Sequence, residues 1–378
     1  MIENYMLDEP PRSYTKINFV PISVDTHRLL SDEPPPTGTH TISAAEKLTI
    51  EDVSGLIKPD TFSLWKAGCH ISKDMADALD RIRFAIVHRF SSSTERGGEL
   101  QQRSTDLLNL VVACLSLIRP TRRSHATHVY GVMGADGTFD AHGFSGNNDL
   151  ADVPEIQKLF MVSKKDMNIL SLILPEFVML YQKDSQGRVR DEYEPLRMAV
   201  QLYEQAYAIS YWKARHILWW SAIEALYGSN EDAAMARIYA LFGEKNLVDG
   251  YRCSIYEAGD IPSCYYPSSN SMHTLGKMVP LIYEVRNASA HGQKVPDSHF
   301  SPVAHPFGET VGIDALAEAA TFIIRKTVTQ ILERGLRDKF RDRDTREEFW
   351  LYQYGLDKKQ SKKRLREMYE VLGTTLTA

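Results

Sequence analysis

"YEPLRMAVQLYEQAYAISYWKARHILWWSAIEALYG", residues 193 to 228, is the stretch on which the fold turns. Apolar residues recur three and four apart through both halves, as on a helix with one buried face, and Gly228 supplies a helix stop. The run reads as one long helix or as two meeting near Ser210. The same spacing predicts further helices downstream in "EDAAMARIYALFG" (231–243), "SMHTLGKMVPLIYEVRNASAH" (271–291) and "GIDALAEAATFIIRKTVTQILERG" (312–335), with an irregular loop over 251–270.

Upstream, "DMNILSLILPEFVMLYQKD" (166–184) predicts a helix kinked at Pro175, and "LQQRSTDLLNLVVACLSLI" (100–118) predicts another. "SKDMADALDRIRFAIVHRF" (72–90) opens on a serine and an acidic first turn and reads as an amphipathic helix. Residues 79–90 and 107–118 together echo the layout of 193–204 and 217–228. A duplicated helical pair and a coincidence of composition both fit that echo. A strand is expected in "KINFVPISV" (16–24) and a β-hairpin around Ala135-Asp136-Gly137 in residues 127–144. The expectation is a mainly α fold whose N-terminal helical region contains a small β element. Four segments follow: an extended, irregular 1–71; a helical region with the hairpin and a possible regulatory role over 72–189; a helical domain over 190–335; and a basic helical tail over 336–378.

With 43% hydrophobic and 25% charged residues, the chain has the composition of a folded globular protein with a sizeable core. A net charge of -5 gives no global attraction for nucleic acid, so a polyanion must be held by a local patch. One such patch is the tail: from Arg334 to Arg366 there are twelve Lys or Arg against six Asp or Glu. "DKKQSKKRLREMYE" (357–370) reads either as a phosphate-holding segment or as a solvated charged helix. The sequence lacks the apolar stretch of about 20 residues that a membrane span needs, and acidic residues and prolines stand where a signal peptide would be basic and apolar. The expected compartment is the cytoplasm, without membrane association. Cys69, Cys114, Cys253 and Cys264 form no C-x-x-C pair and no disulfide framework.

"YEVRNASAHG" (283–292) ends one of the helical runs. Asn287-Ala288-Ser289 fits a glycosylation acceptor, a reading that the expected compartment removes. An arginine followed five residues later by a histidine occurs three times, at Arg83 and His88, Arg123 and His128, and Arg286 and His291, so spacing alone decides nothing. The first pair lies in an apolar run that packing explains. The second lies in a polar loop whose His125 and His128 lack the carboxylate or cysteine neighbours of a zinc site. At the third, Asn287 and His291 are four apart and share a helical face, Arg286 can reach the same patch, and Gly292 ends the helix. Small Ala288, Ser289 and Ala290 would let another helix or a phosphate backbone come close. An Arg and a His beside a helix C-terminus are also favoured by the macrodipole alone.

"LIYEVRNASAHG", downstream of the helix "WWSAIEALYG", resembles the HEPN superfamily of all-helical domains, in particular its Apea-like branch. That family carries an Arg-polar-x-x-x-His motif near a helix end, often followed by glycine, after a helix with an "EAL"-like core. The likeness covers residues 190 to 335, with a weaker extension back to about residue 72. It implies a HEPN-like helical bundle and a metal-independent endoribonuclease that works as a homodimer or higher even-numbered homo-oligomer, in a prokaryotic antiviral defence or toxin-like setting. Arg286 matches the family arginine, Asn287 the adjacent polar position and His291 the histidine. A toxin branch has a tyrosine two residues after the histidine; Gln293 stands there, which sets this chain apart from that branch.

RNA brings its own nucleophile, the ribose 2′-hydroxyl, so the site need only move protons and stabilise the crowded phosphate. Histidine as a residue type titrates near neutrality and suits the first task. Arginine presents a fixed fork of donors to phosphate oxygens and suits the second. The resemblance implies no cofactor or metal. Glu224 reads either as a support for the site from the neighbouring helix or as an exposed or capped carboxylate, and Arg237 and Arg215 either as RNA contacts or as ordinary helix-surface arginines. Trp212, Trp219 and Trp220 read as core or dimer contacts. The alternative is a non-catalytic HEPN-like module binding RNA, nucleotide or a partner protein, and a regulatory partner is compatible with both readings. A third is a helical scaffold in which the motif only caps a helix.

Overall fold

The computed structural model describes residues 14–24, 40–43, 47–53, 84–92, 98–118, 128–133, 139–145, 160–162, 164–248, 275–295, 302–305 and 308–371. The chain divides into two compact units, one of residues 1–112 and 125–171, the other of residues 113–124 and 172–378. Helix is the main secondary structure among the described residues, and none of these helices is long and apolar enough to cross a membrane.

The first unit is built on a seven-stranded sheet. Its spine is β1 (Tyr14–Val24), which contains the expected strand. The partners of β1 are β4 (Phe84–Ser92), antiparallel on one side, and β5 (His128–Met133), antiparallel on the other. Beyond β5, the short β7 (Phe160–Val162) joins β1 in parallel. β2 (His40–Ser43) and β3 (Leu48–Asp52) extend the sheet outward from β4, and β6 (Phe139–Ser145) forms the predicted hairpin with β5. The sheet is therefore much larger than the small β element expected.

The helix expected over 72–90 is corrected by β4; residues 72–83 lie outside the described set. Ala85, Ile86 and Val87 are all fully buried, so this strand is covered on both faces and its sequence is a continuous apolar run. Such a run has no period of two to set against a helical reading. The proposed duplication fails with it, since one member of the echo is a strand. Of the first Arg-to-His pair, Arg83 lies outside the described residues, and the His88 Nδ1 lies 2.7 Å from Ser104 Oγ; the neighbouring Arg89 binds Glu51 on β3 through two hydrogen bonds. Ser104 belongs to α1 (Gly98–Ile118), and α2 (Lys164–Met179) carries Pro175 inside it, as expected.

The second unit is helical. The stretch 193–228 forms two helices, α3 (Glu194–Ala208) and α4 (Trp212–Tyr227), parting at Ser210 as one reading had it. There follow α5 (Glu231–Val248), α6 (Leu275–Ala290), a hairpin of β8 (Pro302–His305) and β9 (Gly308–Val311), and α7 (Gly312–Glu333). A 3-10 turn at Arg337–Phe340 leads into α8 (Arg343–Tyr354) and α9 (Lys358–Val371). The expected loop over 251–270 and three of the four cysteines lie outside the described residues; Cys114 is buried, which pushes its thiol pKa up.

α4 is the hub, touching α3, α5, α6 and α7. Its buried residues His216, Trp219, Trp220, Ala222, Ile223, Leu226 and Tyr227 fall within an arc of about 160°, one broad face turned to its neighbours. Its C-terminus points four carbonyls into the protein, and each is met. Gly228 N–H and Arg346 Nη1 donate to Glu224 O, at 2.8 and 3.3 Å, and Arg346 Nη1 donates to Ala225 O. Trp350 Nε1 donates to Leu226 O at 3.1 Å, and Arg237 Nη1 to Tyr227 O at 2.6 Å. Glu347 joins the two arginines, accepting from Arg237 at 2.6 Å and from Arg346 at 2.8 Å. Burial would raise the Glu347 carboxyl, but the bonds and charges of Arg237 and Arg346 outweigh it and hold it low. Two guanidinium groups against one carboxylate leave a net positive charge at a helix C-terminus, the favourable sign for the macrodipole.

Gly228 makes this possible. Its φ is +99°, and a Cβ there would lie 2.8 Å from Arg237 Nη1 and 3.0 Å from Glu347 Oε1. The residues expected as a basic tail are thus bolted into the second unit, with Trp350 fully buried and stacked on Tyr227 at 5.1 Å. Trp350→Ala should destabilise the chain by about 3–5 kcal/mol in denaturant unfolding. Trp350→Phe, which keeps a six-membered aromatic ring but loses the N–H to Leu226 O, should cost about 1–2 kcal/mol. A neutral Trp350→Phe would contradict the capping role.

Two ionisable groups largely withdrawn from solvent contribute opposite slopes to the pH dependence of stability. Burial, with the charge of Arg215, holds His216 down to about 4 from an ordinary 6.5. The unfolded chain therefore binds the proton first, and stability falls as pH drops from 6.5 towards 4. Burial lifts Glu204 from 4.5 to about 7, so the folded chain keeps the proton longer and stability falls as pH rises from 4.5 to 7. Glu204→Gln should remove the second effect. The stability difference between variant and wild type should change across that window by on the order of 1–2 kcal/mol, discounted for partial solvent contact. A difference independent of pH would overturn the assignment.

Candidate active site

Helix α6 presents Met278, Val279, Ile282, Val285 and Ala288 to the core, a stripe three and four apart that fixes which way every other residue faces. Ala288 is therefore turned inward, Ser289 is half-buried and Ala290 is exposed, so only part of the expected small-residue surface faces out. The helix ends in a Schellman turn: Gly292 N–H donates to Ser289 O at 3.4 Å, Gln293 N–H to Ala288 O at 2.8 Å, and Gly292 takes φ +66°. His291, the last residue before the turn, is exposed, and its N–H donates to Asn287 O at 3.1 Å.

Arg286 and Asn287 are half-buried. Arg286 faces α4, where its Nη2 lies 3.6 Å from Glu224 Oε1, while its Nε is buried without a hydrogen-bond partner. Glu224 is itself held, because Trp220 Nε1, one turn earlier on α4, donates to Oε1 at 2.9 Å. On a helix, residues five apart differ by about 140° in direction, whereas Asn287 and His291 differ by about 40°. Within one protomer the Asn and His lie on one side of α6, and the Arg leaves from another.

Glu224, the carboxylate considered on the neighbouring helix, forms an ion pair with Arg286. Arg237 is not part of this cluster: it is 5% exposed and committed to the C-terminus of α4 and to Glu347. Arg215 donates to Ile209 O at the end of α3. Trp219 and Trp220 are core residues, and Lys213 stands 5.6 Å from the Trp212 ring. Arg123 lies outside the described residues.

The sequence reading missed Tyr283 and Glu231. Tyr283 sits one turn before Arg286, its ring 5.1 Å from Trp220, and its hydroxyl donates to Glu231 at the start of α5. Burial first, then the bond to Glu231 and its charge, push the phenol up to about 12. The three-residue spacing from Arg286 was the available signal for Tyr283; nothing local pointed to Glu231. No family model, curated protein or solved structure matches this chain.

Because the Arg286–Glu224 pair is a quarter exposed on each side, Glu224→Gln should cost less than about 1 kcal/mol of stability. Gly292→Ala, forcing a side chain into positive φ, should cost about 1 kcal/mol or more. Denaturation curves check both; a neutral Gly292→Ala would contradict the turn that places His291.

Proposed function

We propose that this chain is a HEPN-like endoribonuclease cutting RNA without a metal, at a composite site made by two copies of the Arg286-Asn287-His291 motif. The observation that supports this most is the exposed end of α6, with His291 open to a partner and Arg286 half-buried on the same helix. In the reaction, a base takes the proton of the 2′-hydroxyl, whose oxygen attacks the adjacent phosphorus. The bond to the 5′-oxygen breaks, and an acid returns a proton to that leaving oxygen. The products are a 2′,3′-cyclic phosphate and a 5′-hydroxyl.

One protomer offers one imidazole. Two His291 residues across a twofold axis supply both base and acid, and two Arg286 residues the positive charge for the crowded phosphate. Asn287, on the His291 side of the helix, orients the imidazole or donates to phosphate. Glu224 acts through Arg286 as a positioning residue. A prokaryotic antiviral defence or toxin-like setting, inside the cell, belongs to the same proposal.

A second reading is a non-catalytic module that binds RNA, nucleotide or a partner protein. The Arg286–Glu224 pair favours it, because part of the arginine charge is already met. The purified homodimer, incubated with RNA in EDTA, separates the two. Under the ribonuclease reading His291→Ala lowers the cleavage rate about 10²–10⁴-fold and Arg286→Ala about 10²–10³-fold, both chains staying folded. Cleavage that EDTA abolishes, or that both variants retain, would contradict the mechanism. RNA binding lost in Arg286→Ala with no cleavage by wild type would establish the second reading.

A further inference from the structure

The candidate site is poorly charged for its proposed substrate. Glu224 and Glu231 stand beside Arg286 and Tyr283, Glu284 is exposed one turn from Ala288, and the whole chain carries -5. The cations that hold an RNA backbone must then come from a neighbouring surface.

α9 provides one. At about 100° per residue, Lys359, Lys362, Lys363 and Arg366 fall within an arc of about 100°. All four are exposed. Ser361, Leu365 and Met368, at 0%, 2% and 3% exposure, occupy the opposite side, and α9 packs against α5. The apolar face is therefore already used and is not free to enter a lipid surface, while the exposed cations of the basic face are complementary in charge to a solvated polyanion. The ion pairs on this helix, Lys363–Glu367 at 3.9 Å and Arg364–Glu367 at 3.4 Å, are exposed and contribute little.

The basic face also adjoins the site. Lys362 Nζ lies 3.5 Å from Asp232 in the first turn of α5. The preceding residue, Glu231, accepts from Tyr283, one turn from Arg286. From these contacts we infer that the Lys359–Lys363–Arg366 face of α9 is a docking surface for single-stranded RNA, holding the phosphate backbone that runs on to the Arg286 end of α6. The inference rests on RNA being the substrate. The contacts are to phosphate, so this face sets affinity and leaves sequence choice and chemistry to the site.

The test uses the full chain with His291→Ala, so that RNA stays intact, and a fluorescein-labelled single-stranded 20-mer RNA read by anisotropy at several salt concentrations. Adding Lys359→Gln, Lys363→Gln and Arg366→Gln together should raise Kd about tenfold or more near 0.1 M salt. The slope of log K against log salt should fall by about 2, at about 0.7 per lost phosphate contact. Arg334→Gln, an exposed cation elsewhere, should change neither. In the otherwise wild-type chain the triple substitution should raise KM for cleavage and leave kcat alone. An unchanged Kd, slope and KM would overturn the docking surface while leaving the ribonuclease reading intact. Weakened binding by the triple variant, with no cleavage by wild type, would support the surface and overturn the ribonuclease reading. No RNA binding by the His291→Ala chain would overturn the surface as well.

Discussion

The C-terminus of α4 is the constraint on which the second unit depends. Four carbonyls there would be costly to bury unpaired. Arg346, Trp350 and Arg237 meet them, and Glu347 ties the two arginines together. The last turn so fixed carries Glu224, which faces Arg286 on α6. A change in α8 would therefore be felt at the candidate site through the position of one carboxylate. Gly228 is the point where all of this converges, since any side chain there would displace the Arg237–Glu347 pair.

Much of this unit was legible from periodicity. The helical character of 193–228, though not whether it is one helix or two, the stops at Gly228 and Gly292, and the Asn287–His291 face all follow from spacings of three and four and from glycine chemistry. The cap of α4 was not legible: Arg346 and Glu224 are 122 residues apart, and contacts between side chains so distant leave no local pattern. Arg237 shows the consequence. On sequence it is one more arginine on a helix; in the structure it is sealed inside. β4 was missed for a different reason, because a strand buried on both faces has an apolar run in place of the alternation that marks a half-exposed strand.

At the candidate site, the sequence placed Arg286, Asn287 and His291 near a helix end but did not give their directions. Arg286 leaves α6 about 140° from His291, and Glu224 meets it on the way. A single protomer therefore presents an arginine already in company and a histidine facing solvent. Under the proposal, two such motifs brought together offer what one does not: a pair of imidazoles for proton transfer and a pair of guanidinium groups for the phosphate. Under the same proposal, chemistry at α6 is separate from backbone holding at α9, which would reconcile a nucleic-acid substrate with an acidic chain.

The central claim is attack by the ribose 2′-hydroxyl, and the ends of the cut RNA report on it directly. Mass spectrometry of fragments released by the wild-type chain should find 2′,3′-cyclic phosphate, with or without its opened 3′-phosphate, and 5′-hydroxyl ends. A 3′-hydroxyl paired with a 5′-phosphate would mean that water or another nucleophile attacked, and would contradict the account.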